Sequence, residues 1–159
     1  MPSSDLATYL KDHDAGSEAA LQILDHLEKH HGAGAVGEMA RTLRPQFHGE
    51  RAQVHTILQS LDDSVSVPRR MFGWLSEKAL QLKLMADDPG DGALRLLESV
   101  EMLGLGVHGK RGMWKALEAN KTAAVALDRV PFAELIAQAE AQEALIESVR
   151  MTAASEVMR

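Results

Sequence analysis

The chain has 159 residues, 45% of them hydrophobic and 25% charged, which fits a soluble globular domain large enough to enclose a continuous core. It contains no cysteine, so disulfides, thiolate metal centres, iron–sulfur clusters and a cysteine nucleophile are excluded. A formal charge of -6 argues against nucleic acid as a partner, because that partner requires a basic face.

Hydrophobic residues recur with a helical period along nearly the whole chain, and no alternating strand pattern competes with it. A first helix is expected over residues 4–31, with Ser3 or Ser4 as N-cap and Gly32 and Gly34 as breakers. Its apolar stripe is Leu6, Leu10, His13, Ser17, Ala20, Leu24 and Leu27, so two of its members are polar. A second helix is expected over 35–61, with Val36, Ala40, Leu43, Phe47, Glu50, Val54, Ile57 and Leu61 at bundle spacing and Glu50 amid apolar residues. Pro45 should kink this helix or split off its first turns, since it removes a backbone donor.

Pro68 is placed to open a shorter helix over 69–85 that carries Met71, Leu75, Leu82 and Met85. Asp88-Pro89-Gly90-Asp91-Gly92 then signals a loop. A third long helix is expected over 93–120, its stripe reading Leu94, Leu97, Glu101, Gly104, His108 and Arg111 with Val100, Val107 and Trp114 beside it. The last is expected over 131–157, through Phe132, Leu135, Ala139, Ile146, Val149 and Ala153.

Four helices of about 27 residues, each about 40 Å long, define the scale of a four-helix bundle. The long connection between the second and third suggests a crossover, so the expected fold is all-α, a ferritin-like four-helix bundle with a short crossover helix. Residues 1–31 carry six acids and two bases, whereas 41–83 carry seven bases and four acids, which suits pairing of their flanks.

Leu10-Lys11-Asp12-His13-Asp14-Ala15-Gly16, Trp74-Leu75-Ser76-Glu77-Lys78-Ala79, and the glycine-spaced run from Leu97 through Lys110 to Met113-Trp114 resemble a family of small uncharacterised bacterial proteins assigned to the ferritin-like fold. The resemblance spans residues 5–120 and implies a fold without an established activity.

Di-iron bundles hold metal with a Glu from each of two helices and a Glu-x-x-His from each of the other two. Here Glu18, Glu50, Glu101 and Glu143 are the candidate metal carboxylates, but three residues after Glu50 stands Gln53, and the last helix has no His. The competing expectation is a buried polar network of His13, Glu50, Glu101 and His108, in which Glu50 approaches Glu101 with His13 or His108 as the partner. His26 and His30 have the i,i+4 spacing of a metal clip, yet they lie near a helix C-terminus, where imidazolium is favoured without metal. Gly104-Leu105-Gly106-Val107-His108-Gly109 matches G-x-G-x-x-G, but no strand precedes it and Arg111 stands where a P-loop needs a hydroxyl. The glycines are expected instead to let a neighbouring helix pack closely.

No catalytic constellation emerges. The favoured reading is a non-enzymatic bundle acting through self-association, as a homo-oligomer, or through a protein partner, with no cofactor. The alternatives are a carboxylate-bridged iron or manganese protein and a binder of a small ligand between helices near His108 and Trp114. No stretch approaches the roughly 20 apolar residues of a membrane span. The N-terminus lacks the basic and apolar regions of a signal peptide, so the expected compartment is the cytoplasm.

Overall fold

The computed structural model describes residues 2–61 and 92–159, and the short helix expected over 69–85 lies outside them. Among the described residues there are four long helices and no strand: α1 (Pro2–His31), α2 (Ala35–Ser60), α3 (Gly92–Ala119) and α4 (Phe132–Val157). The architecture is an all-α four-helix bundle. No helix of the described residues is long and apolar enough to cross a membrane.

The α1–α2 turn is tight because two glycines meet in it. A Cβ on Gly37 would lie 2.5 Å from the Gly32 backbone, so any side chain there would force the two helices apart. Arg41 Nη1 donates to the Gly32 carbonyl at 3.0 Å, satisfying an acceptor left free at the end of α1. Pro45 does not divide α2, which runs unbroken from Ala35 to Ser60. Leu43 and Phe47, on either side of it, are buried in the same cluster, and that packing holds the helix through the missing backbone bond.

Helix directions follow from which residues share a core layer. Leu21, Leu24 and Leu27 of α1 meet Met39, Ala40, Leu43 and Phe47 of α2, Val100, Leu103 and Val107 of α3, and Ile146 and Val149 of α4. At the other end Ala7 and Leu10 meet Val54 and Ile57, Met113, Trp114 and Leu117, and Phe132 and Leu135. α1 and α4 therefore run one way, and α2 and α3 the other. The main contacts are α1 with α2 and α3 with α4, while α1 touches α3 and α2 touches α4 more sparingly. Every neighbouring pair is antiparallel, and the two parallel pairs lie on the diagonals.

The inward face of α3 differs from the expected one. Leu97, Val100, Leu103, Val107, Met113, Trp114 and Leu117 are buried, while Leu94 is 47% exposed and Glu101 and His108 face outward. The glycines at 104, 106, 109 and 112 blur the polar–apolar contrast of α3, and the exposed Leu94 and Leu105 add a false apolar signal on its outer side. The glycines do not serve close helix packing either. Of these four, only Gly104 has a neighbour among the described residues, Ile146 Cγ2, at the ordinary contact distance of 3.6 Å from an added Cβ, and no described residue lies within 4 Å at Gly106, Gly109 or Gly112.

Candidate functional site: a polar layer beside an apolar cavity

Between the two apolar layers lies a polar one. The inward stripes of α2, α3 and α4 each carry a hydrophilic residue at this level: Glu50, Lys110 and Gln142. Glu50 is only 3% exposed and Gln142 only 2%. Lys110 Nζ contacts Glu50 Oε2 directly and donates to Gln142 Oε1 at 2.8 Å. The other Glu50 oxygen accepts from Gln138 Nε2 at 2.8 Å and Gln142 Nε2 at 2.9 Å, and Gln142 Nε2 also donates to Gln46 at 2.9 Å. The ammonium lies 4.0 Å from the centroid of the Phe47 ring, a cation–π contact that covers its remaining side. Burial lowers the Lys110 pKa, and the attraction of Glu50 opposes that shift.

Beside this layer, α1, α2 and α3 line a cavity of about 490 Å³ that opens to solvent on the side of Tyr9 and Leu105. Lys110, Glu50 and Phe47 form part of its wall, Trp114 and Met113 close one region, and Gly16, Gly106 and Gly109 lie where α1 and α3 face each other. An added Cβ at any of these three glycines would meet no described residue within 4 Å. The cavity exists partly because side chains are missing there. His13 and Ser17, the polar members of the α1 stripe, also line it. Their places on α1 that would otherwise bear core residues face this space.

His13 stacks edge-on against Tyr9 with ring centroids 4.8 Å apart. Burial holds its imidazole below the ordinary value of 6.5, with Asp12 pulling the other way. The unfolded chain therefore takes up a proton at this position before the folded chain does. Stability should fall as pH drops from about 6.5 towards the lowered folded value and stop changing at this site below it. The His13→Gln variant should show a shallower decline in unfolding free energy between about pH 7 and 5 than the parent chain. Parallel urea-denaturation profiles for the two proteins would refute this assignment.

The sequence-predicted site residues do not come together. Of the expected network, Glu50 is buried in the polar layer and His13 lines the cavity, but Glu101 and His108 stand outside the core. Glu101 lies 3.5 Å from Arg150, and the largely exposed His108 is 3.2 Å from Glu143. The expected approach of Glu50 to Glu101 fails because the inward position on α3 at that level belongs to Lys110.

The candidate metal carboxylates are likewise separated, each beside its own cation. Glu18 accepts from Arg51 at 3.1 Å, Glu50 from Lys110, Glu101 lies beside Arg150, and Glu143 is 3.3 Å from Arg111. Among the described residues no three metal-ligating side chains converge. Arg51 also donates to Asp14 at 2.7 Å, and His55 Nε2 contacts the same carboxylate oxygen at 2.7 Å, which ties α1 to α2 at the edge of the cavity. The Asp14 carboxylate holds the Arg51 guanidinium above its ordinary pKa.

Gln46, Lys110, Gln138 and Gln142 are the members of the site that sequence reasoning missed. A signal existed for Lys110 and Gln142. Gln142 falls in the gap between Ala139 and Ile146 on α4, and Lys110 falls between Val107 and Trp114 on α3, each at helical spacing from its buried neighbours.

The fold and this layer define a four-helix bundle with a buried ion pair beside a solvent-open apolar cavity. No protein-family model matches the chain, and no curated protein or solved structure matches it either.

Proposed function

We propose that the protein binds a small, largely apolar molecule in the cavity between α1 and α3. The observation that carries this reading is the cavity itself: about 490 Å³ of space, within the range of small-molecule sites, bordered by three glycines whose missing side chains could have filled it. Apolar walls left facing water cost stability, and each helical glycine costs roughly 1 kcal/mol relative to alanine. A ligand that fills the space offsets the first of these. The charged groups are satisfied within the protein, so the ligand contributes apolar surface and needs little charge of its own. The antiparallel neighbours and the parallel α2–α3 diagonal also support the ferritin-like topology suggested by the sequence.

Titration with 2-methylnaphthalene tests the reading. Isothermal calorimetry should show saturable binding, and Tm should rise with ligand concentration as binding to the folded state requires. The Gly106→Leu variant should stay folded, because nothing lies within 4 Å of the new Cβ and leucine has the higher helix propensity. It should weaken binding by about tenfold or more, equivalent to about 1.4 kcal/mol. Absence of saturable binding to the parent chain, or equal binding to Gly106→Leu, would overturn the proposal.

A further inference from the structure

The apolar walls of the cavity leave its ligand class broad, but Lys110 narrows it. A buried ion pair rarely stabilises a fold more than apolar residues of the same volume would, and this one adjoins a cavity that could have been packed. The N–H groups of the Lys110 ammonium are already directed at Glu50, Gln142 and the face of Phe47. No donor is left for an anionic headgroup, and such a group would also lie against the Glu50 carboxylate. Lys110 can instead hold a ligand through its nitrogen as a nucleophile, with Glu50 in contact to receive the proton.

We infer that the cavity takes an apolar aldehyde or ketone, held as an imine on Lys110 with Glu50 as proton acceptor and then counter-ion. This rests on the cavity-binding reading above. Glu50 first takes a proton from the ammonium, leaving a free amine. The amine lone pair attacks the carbonyl carbon, forming the C–N bond as the C=O π pair moves to oxygen, which takes the proton from Glu50. The nitrogen of this adduct returns a proton to Glu50. Glu50 then protonates the hydroxyl, which leaves as water while the nitrogen lone pair forms C=N. The ammonium and carbonyl have become an iminium and one water, and Glu50 is again a carboxylate. The single N–H of the iminium can point at Glu50, so the buried positive charge keeps its partner. Burial of Lys110, which lowers its pKa, favours the amine needed for the first step, and apolar walls favour the loss of water.

The test treats the folded chain with 2-naphthaldehyde and sodium cyanoborohydride at neutral pH and maps the reduced adduct by peptide mass spectrometry. Excess 2-methylnaphthalene, which has no carbonyl, serves as competitor. The expected result is an adduct at Lys110 that forms ahead of any at exposed Lys115 or Lys121 and is suppressed by the competitor. The adduct should be lost in the double variant Lys110→Met/Glu50→Gln, which leaves no unpaired buried charge and whose fold is checked by circular dichroism. If 2-methylnaphthalene binds but no adduct forms at Lys110, the imine is refuted and cavity binding stands. If neither compound binds, both readings fall. An adduct at Lys110 that the competitor does not suppress would also overturn the inference, because it would place the reaction outside the cavity.

Discussion

Replacing Lys110 with methionine alone is expected to lower the unfolding free energy by about 3 to 5 kcal/mol, the cost of removing one partner from a buried ion pair. Methionine keeps the apolar stem and can place its thioether against Phe47, so little packing is lost. What changes is the position of Glu50. Its carboxylate, 3% exposed in the parent chain, loses the one cation beside it among the described residues, with the amides of Gln138 and Gln142 as its remaining donors there. Those two hydrogen bonds should hold the loss near the lower end of the range. Adding Glu50→Gln should then recover most of it. The new amide oxygen can accept from Gln138 and Gln142, and the new NH₂ can donate to Gln142 Oε1, which Lys110 no longer occupies. Urea denaturation of the two single variants and the double variant gives the coupling directly. A double variant as unstable as the sum of the singles would mean that the pair is not the unit described here. The Glu50→Gln change alone should cost less than Lys110→Met, because a buried lysine whose pKa burial already lowers can shed its charge.

The same pair shows what was legible in the sequence. On α2 the three-four spacing runs unbroken from Ala40 to Leu61, and Glu50 stands out as a polar residue inside a stripe whose every other member is buried. One helix with strong contrast therefore identifies its own inward face. α3 has little contrast. Its apolar residues surround the helix, its glycines contribute nothing to either face, and a stripe drawn through Leu94, Glu101 and His108 is as regular as the true one through Val100, Val107 and Trp114. Only contact with the other helices decides between them. The rotation matters chemically, because it turns Glu101 and His108 outward and sets Lys110, about two and a half turns beyond Glu101, inward against Glu50, so that an ion pair stands where a pair of carboxylates is expected. Glu18 on α1 and Glu143 on α4 also sit beside arginines away from Glu50, so the four expected metal carboxylates fail to converge on three helices and not on α3 alone.

On α1 the polar interruption at His13 suggests a buried polar network, whereas His13 and Ser17 line a cavity. Sequence periodicity cannot distinguish an inward position that meets a partner from one that meets empty space, since both leave a polar residue in an apolar stripe. The glycines give the same ambiguity. Gly37 serves close packing against Gly32, while Gly16, Gly106 and Gly109 leave open volume, and the difference depends on the distance to the next helix.

Among the described residues Trp114 is the largest fully buried side chain; it packs 6.4 Å from the Phe132 ring between centroids and forms part of the cavity wall. Trp114→Ala is therefore expected to cost about 3 to 5 kcal/mol from lost burial and added void. The void would join the existing cavity rather than form a separate one, and helices α1 and α3, in sparing contact, have room to close over it. Partial closure would pull the loss towards the lower bound. The Trp114 Nε1 is buried without a hydrogen-bond partner among the described residues, so its removal also relieves an unsatisfied donor. If the enlarged space stays open and dry, 3-methylindole should occupy it, as apolar ligands occupy apolar cavities made by truncation. At a hundred times its Kd the ligand should restore about 2.7 kcal/mol. The measurement is the Tm of Trp114→Ala against 3-methylindole concentration, with the parent chain alongside. Rescue larger than the effect on the parent chain places the indole volume next to the cavity. A Trp114→Ala protein that loses its stability and gains nothing from 3-methylindole would mean that the helices collapse into the space, and the wall assigned to Trp114 would have to be redrawn.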